Sequence, residues 1–225
     1  MEQPAVSPTL SGLLGFNAGY VDTAGFLALH GLFTAHVTGN FVTLGATLVH
    51  GSSGALAKLS ALPVFCVVVV LSRLIRSPGW LMLAKIPLLL AAAAILIASG
   101  PFQDADAAPA FTAGMLLVAA MAIQNALQRM HLASAPPSTL MTGTTTQIML
   151  DLADLLRGVE GSARALALGR MRRMAFAVLV FAAGCGLAAL AYVWVGMWCF
   201  IVPPIVALAV ALVGVRGSGS EGRVA

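Results

Sequence analysis

The chain has 225 residues, of which 60% are apolar and 9% charged, and its mean hydropathy is +0.97. That balance excludes an ordinary soluble domain, because such a chain cannot hide its apolar surface from water. The formal charge of +4 and the pI near 9.4 come from basic residues concentrated in a few segments, a pattern that orients a membrane protein and gives no reason to expect a nucleic-acid partner.

Crossing a hydrocarbon core of about 30 Å takes about 20 helical residues. Apolar blocks of that length predict spans near 12–29, 59–76, 79–99, 109–130, 174–193 and 195–215. No Lys or Arg precedes Lys58, so the first block lacks the basic flank of a signal peptide and is expected to stay in the mature protein. It carries Asp22, the sole acidic residue inside a predicted span. A carboxylate there costs about 2.5–3.5 kcal/mol on insertion scales and so faces a partner or a cavity. At about 100° per residue, Gly15, Gly19, Asp22 and Phe26 share one face, which points Asp22 into protein.

Residues 30–58 are too long for a turn and contain Phe33-Thr-Ala-His-Val-Thr-Gly-Asn40. Ser77-Pro78-Gly79 separates the second span from the third, where Lys85 is close enough to the end to be expected to snorkel. Gly100 to Pro109 leads into the fourth span, which presents Gln124, Gln128 and His131 on one face with Asn125 beside them; these groups and Arg129 are the expected partners of Asp22. In residues 131–173, Asp151, Asp154, Arg157, Glu160 and Arg164 predict a surface-lying amphipathic helix with a solvated charged face. Arg170, Arg172 and Arg173 anchor the topology, and Gly184 with Ala188 predicts close helix packing, in the bundle or in a dimer.

With the N terminus inside, every basic residue except Lys58 and Lys85 falls in a cytoplasmic segment: Arg73, Arg76, Arg129, Arg157, Arg164, Arg170, Arg172, Arg173, Arg216 and Arg223. Both termini are therefore expected in the cytoplasm. The chain also carries a weak internal repeat. Gly15 to Asp22 followed by Thr38-Gly39-Asn40 has a counterpart in Ala119 to Asn125 followed by Ser138 and Thr142-Gly143-Thr144. Each half holds three spans, an odd number, so the second half must be inverted relative to the first. The expected architecture is one all-α integral membrane domain over 1–225 with short polar tails. It has six transmembrane helices in two inverted three-helix repeats, about 10–100 and 109–216, with broken or re-entrant Thr-Gly segments.

Inverted-repeat transporters place their sites where helices break, since irregular backbone at membrane depth needs protein or water to satisfy it. The expected pathway residues are Asp22, Asn17, Thr38, Gly39, Asn40, Gln124, Asn125, Gln128, Thr142, Gly143 and Thr144. The Thr-Gly pairs are expected to cap helices beginning at Phe41 and Thr145. The competing reading makes them interfacial turns and makes Asp22 a structural hydrogen bond that locks helices together. Cys66, Cys185 and Cys199 lie in apolar blocks without disulfide or zinc spacing, and His30, His36, His50 and His131 lack metal-pair spacing, so neither metal nor cofactor is expected. No catalytic motif occurs, so no enzyme is expected.

The stretch from Gly15 to Asn40, together with Met141-Thr142-Gly143, resembles the YoaK-like family of small bacterial inner-membrane proteins, a domain of unknown function, from about Leu13 to Val213. The resemblance implies a bacterial plasma membrane and about six spans and supplies no activity. The expectation drawn from the residues is a small secondary transporter or channel-like carrier of a small solute or ion; the alternative is a non-transporting membrane assembly or lipid-interaction factor. The lipid bilayer, a small solute or ion, and a second copy of the chain are the partners this reading allows.

Overall fold

The structure is a computed structural model that describes residues 6–51, 53–139 and 141–221, with side chains to residue 214. Arg223 lies outside the described residues and the Arg216 side chain outside the described side chains. Among the described residues eight α-helices follow in chain order: α1 Pro8–Ala28, α2 Asn40–His50, α3 Ala55–Leu74, α4 Pro78–Ser99, α5 Ala108–His131, α6 Met141–Leu156, α7 Gly161–Val195 and α8 Val202–Glu221. Short 3-10 turns at Val37–Gly39 and Gly196–Ile201 precede α2 and α8, and there is no strand among the described residues.

Local chemistry sets several of these boundaries. Ser7 caps α1 by accepting from the Leu10 N–H, and Pro8 and Pro78 occupy the first turns of α1 and α4, where a missing N–H is harmless. The α3 start has no cap of its own; Asp106 supplies one from across the fold, accepting from the N–H groups of Gly54, Leu56 and Ala57 at 3.1, 3.2 and 2.9 Å. Replacing Asp106 with Ala is expected to lower stability by about 1–2 kcal/mol, read as an earlier thermal midpoint in detergent; an unchanged midpoint would mean that water replaces the carboxylate without cost.

Four stretches are long and apolar enough to cross a membrane: Ala55–Leu74, Pro78–Ser99, Ala108–His131 and Gly161–Gly214, the last comprising α7, a 3-10 turn and most of α8. Polar residues such as Asn17, Asp22 and Thr23 keep α1 below that standard of apolarity, although it is central to the packing. The outer surface of the bundle is studded with large apolar side chains, including Val67, Val70, Leu179 and Val193, with Trp80 exposed near one end and Trp194 and Trp198 near the other. Such a surface suits lipid, and tryptophan favours its two interfaces.

The pairing of helices is crossed between the two halves of the chain. Helix α1 packs on α7 and α8, whereas α5 packs on α3 and α4; α4 meets α8, and the short helices α2 and α6 lie against α3 and α7. Glycines set the closest of these contacts. Gly19 and Gly184 lie so near the opposing backbone that a Cβ would sit 2.3 Å from the Phe181 and Phe16 carbonyl oxygens. Successive positions of α1 (Gly12, Gly15, Gly19) meet successive positions of α7 (Phe176, Ala177, Phe181), so the two helices run parallel. The Gly184 and Ala188 pair therefore packs within one chain.

One end of the bundle is tied by polar contacts: Lys58 Nζ donates to the His30 carbonyl, His30 Nε2 meets the Phe102 carbonyl, and Ser53 Oγ accepts from the Ala105 N–H. At the other end Leu10, Leu81, Leu127 and Val210 form an apolar cluster.

Four sequence expectations change here. Thr142-Gly143-Thr144 is not a broken segment ahead of a helix at Thr145; it lies in the first turn of α6. The charged residues from Asp151 to Arg164 do not share one helix: α6 ends at Leu156 and α7 begins at Gly161. A run of good helix formers without proline then carries α7 unbroken for 35 residues, well beyond the expected span 174–193. Finally, Asp151 is fully buried, accepting from Arg170 Nε at 2.8 Å and Gln147 Nε2 at 2.9 Å, instead of lying on a solvated face.

Arg170 holds the Asp151 carboxyl below its ordinary value of 3.8. A depressed carboxylate contributes stability above its unfolded value and loses it as pH falls through the folded one. Arg170→Gln is accordingly expected to speed amide exchange in α6 at neutral pH while α1 and α5 exchange as before. Equal exchange in α6 would show that the ion pair does not dock it.

Candidate functional site

Asp22 sits in the last third of α1, pointing inward as the glycine face requires, and is 4% exposed. After α1 the chain reverses at His30 and Gly31, whose φ angles of 51° and 85° are left-handed; glycine takes such a backbone freely and histidine at a cost. The returning segment runs back beside α1. Asp22 Oδ1 then accepts from the N–H groups of Thr34 and Ala35, both at 2.8 Å, and Oδ2 meets His36 Nδ1 at 2.6 Å. Gly25 makes room for this: a Cβ there would lie 2.9 Å from Thr34 Cγ2.

Asn40 closes the same loop rather than capping α2, since its Oδ1 accepts from the Phe33 N–H at 2.8 Å and its Nδ2 donates to the Phe33 carbonyl at 2.7 Å. Gly39 lies under the Phe33 ring, where a Cβ would come within 2.9 Å, and Thr38 is exposed. The second Thr-Gly pair has a different character: Thr142 and Gly143 are exposed, a Cβ on Gly143 would meet nothing within 4 Å, and Thr144 is buried.

The loop after α5 is held by the same device. Gln128 Oε1 accepts from the Ser138 N–H at 2.9 Å and from Ser138 Oγ at 2.5 Å, its Nε2 donates to the Pro136 carbonyl, and Asn125 Oδ1 accepts from Thr139 Oγ1 at 2.7 Å. In each half, then, polar side chains late in a long helix grip the start of the segment that follows. The two loops also meet, because the Thr139 backbone is a second partner of the His36 ring. Hydrogen bonding to Asp22, then its charge and the Thr139 backbone, hold the His36 imidazolium above its ordinary value of 6.5 against the opposing effect of burial.

A cavity lies beside each loop. One of about 480 Å³ is lined by Asp22, Phe26, Phe33 and His36 with Phe181 and Cys185 of α7. The other, of about 370 Å³, is lined by Asn125, Gln128, Arg129 and Thr139 with Phe65 and Val69 of α3. Phe65 and Val69 stand in one cavity as Phe181 and Cys185 stand in the other, each pair one helical turn apart.

The remaining candidates take their own places. Gln124 is fully buried, donating through Nε2 to the Leu14 carbonyl at 2.9 Å and to Ser138 Oγ at 3.3 Å. Its Oε1 accepts from Lys85 Nζ at 2.7 Å. Lys85 therefore does not snorkel; it is fully buried beneath the α4–α5 contact, because a glutamine on the facing helix offers it an oxygen there. Asn17 is fully buried, and neither polar atom of its side chain has a partner among the described residues. None of the expected partners on α5 reaches Asp22, whose partners are the loop backbone and His36. The sequence reading passed over His36 because residue spacing does not say which side chain of a returning segment reaches Asp22.

A family profile described as a protein of unknown function, DUF1275, matches residues 10–213. The chain belongs to DUF1275. The match covers the same stretch in which the sequence resemblance was found and takes in all eight described helices in whole or part. No curated protein and no solved structure matches the chain.

Proposed function

We propose that this DUF1275 chain is a six-span protein of the bacterial inner membrane with both termini cytoplasmic. In this reading it is built from two inverted halves and carries a small solute or ion past the Asp22–His36 pair. The observation that carries the reading is the meeting of the two loops: His36 lies between the Asp22 carboxylate and the Thr139 backbone, with one cavity beside each loop. Two halves related by an in-plane axis would exchange partners as α1 with α7 and α5 with α3 do. Parallel α1 and α7 suit six crossings, since the first and fifth spans then run the same way. A titratable pair at the contact of two halves is a natural place to link proton movement to the opening of one side or the other.

The test is solid-supported-membrane electrophysiology on proteoliposomes, with a panel of small anions, cations and metabolites under a pH gradient. A current specific to one solute supports the carrier. Silence to every solute from folded protein removes it and favours the membrane assembly or lipid-interaction reading. That second reading has one observation of its own: Asp22 is saturated by the Thr34–His36 loop, as an internal lock would be. Membership of the YoaK-like group and pairing with a second copy belong to the same proposal.

The raised His36 value fixes the sign of a pH effect. A cation stabilised by folding contributes fully below its unfolded value and loses that contribution as pH rises through the folded one. Thermal stability is thus expected to fall as pH climbs from 6.5 through the raised value, and His36→Gln is expected to flatten that fall. A wild-type curve that rises over this interval would contradict the pairing.

A further inference from the structure

We propose that Lys85, Gln124 and Asn17 form a binding site for a small monovalent anion, such as a halide or a short carboxylate. An ammonium has three donors and no acceptor, yet Lys85, fully buried, has a single partner among the described residues, Gln124 Oε1. The ion pairs among those residues are His36 with Asp22 and Arg170 with Asp151, and neither compensates Lys85. Gln124 offers it nothing more, because Nε2 is committed to Leu14 and Ser138 and so fixes which way the amide faces.

One turn beyond Leu14 on α1 comes Asn17, with both polar side-chain atoms unpartnered among the described residues and no exposure. Buried polar groups are almost always hydrogen-bonded. A buried amine whose protonated form lacks a counter-charge and an amide lacking any partner, joined through the glutamine that contacts both helices, give this interior a place for an anion taken up together with a proton. A small anion bound there takes a hydrogen bond from the protonated Lys85 Nζ and another from Asn17 Nδ2, and its charge balances the proton. Water supplies an acceptor but not the charge that keeps a buried lysine protonated, and a cation favours the opposite, unprotonated form. Lys85, Gln124 and Asn17 all have zero exposure, which restricts any ligand to a few atoms and excludes a lipid headgroup. As the cargo of a carrier the anion rests on the transport reading above; as a bound ligand it does not.

Binding can be measured without transport. The purified full-length protein is heated in detergent with increasing sodium chloride, bromide, formate or acetate, against sodium gluconate at matched ionic strength. The expected result is a saturable rise of the midpoint on the order of 5 °C at about 100 times Kd, given by the small anions and not by gluconate, and absent from Lys85→Gln. Asn17→Leu, close to asparagine in size, is expected to fold and to need about tenfold more anion, so it decides the matter if Lys85→Gln does not fold. A rise matched by gluconate, or one kept by either variant at the same half-saturation, overturns the site. An intact anion effect with a silent transport assay counts against the carrier and leaves the site standing; transport without the anion effect does the reverse.

Discussion

On the carrier reading, Asp22→Asn is expected to yield a folded protein whose proton-linked current is gone. The substitution is nearly isosteric, and its remaining Oδ1 can still accept from the Thr34 and Ala35 N–H groups that Asp22 Oδ1 holds at 2.8 Å. What disappears is the charge shared with His36. Charged hydrogen bonds are worth roughly 1.5–3 kcal/mol where neutral ones give about 1, so a loss of about 1–3 kcal/mol is expected in detergent, well short of unfolding. Coupling has no such tolerance, because an amide cannot take up or release the proton. The pair of measurements is the thermal midpoint and the solid-supported-membrane current on the same preparation. A current that survives the Asp22→Asn substitution shows that Asp22 serves as a lock alone.

The second large effect lies in the α1–α7 contact. Gly184→Ala would put a methyl 2.3 Å from the Phe16 carbonyl oxygen and 3.1 Å from the Tyr20 nitrogen. Both are backbone atoms, so no side chain can turn aside and the helices must separate. Close packing is the main attraction between helices in lipid, and overpacking of this kind costs typically 1–3 kcal/mol; a loss of about 3 kcal/mol is expected, with Gly19→Ala on the facing helix doing the same. Gly186 provides the control. A Cβ there meets nothing within 4 Å, so Gly186→Ala is expected to be neutral or to stabilise by up to about 1 kcal/mol through helix propensity. Equal midpoints for Gly184→Ala and Gly186→Ala would sink this account of the interface.

The parts of this molecule that sequence made legible are those governed by local spacing. Long apolar runs marked the long helices, and the i, i+3, i+4 rule placed Asp22 on the glycine face that meets α7. The Gly184 and Ala188 pair was readable for the same reason. Partnerships were not. His36 finds Asp22 because the chain turns back at His30 and Gly31, and Lys85 stays buried because Gln124 faces it from another helix. Thr142 to Thr144 looked irregular because threonine and glycine favour helices little. Context overrode that preference, and α6 starts at Met141.

The crossed pairing has a consequence for how the protein is made. Gly19 of α1 finds its partner surface at Phe181 and Gly184 finds its own at Phe16, so α1 leaves the ribosome about 160 residues before the helix it packs on. At about 5–20 residues per second, the interval is on the order of ten to thirty seconds. Throughout it the grooved side of α1 stays open, accompanied by helices that do not fill it. A newly inserted chain is therefore a ready substrate for quality control until α7 arrives. By the same logic, a polypeptide stopped after α4 lacks the surface against which α1 is shaped.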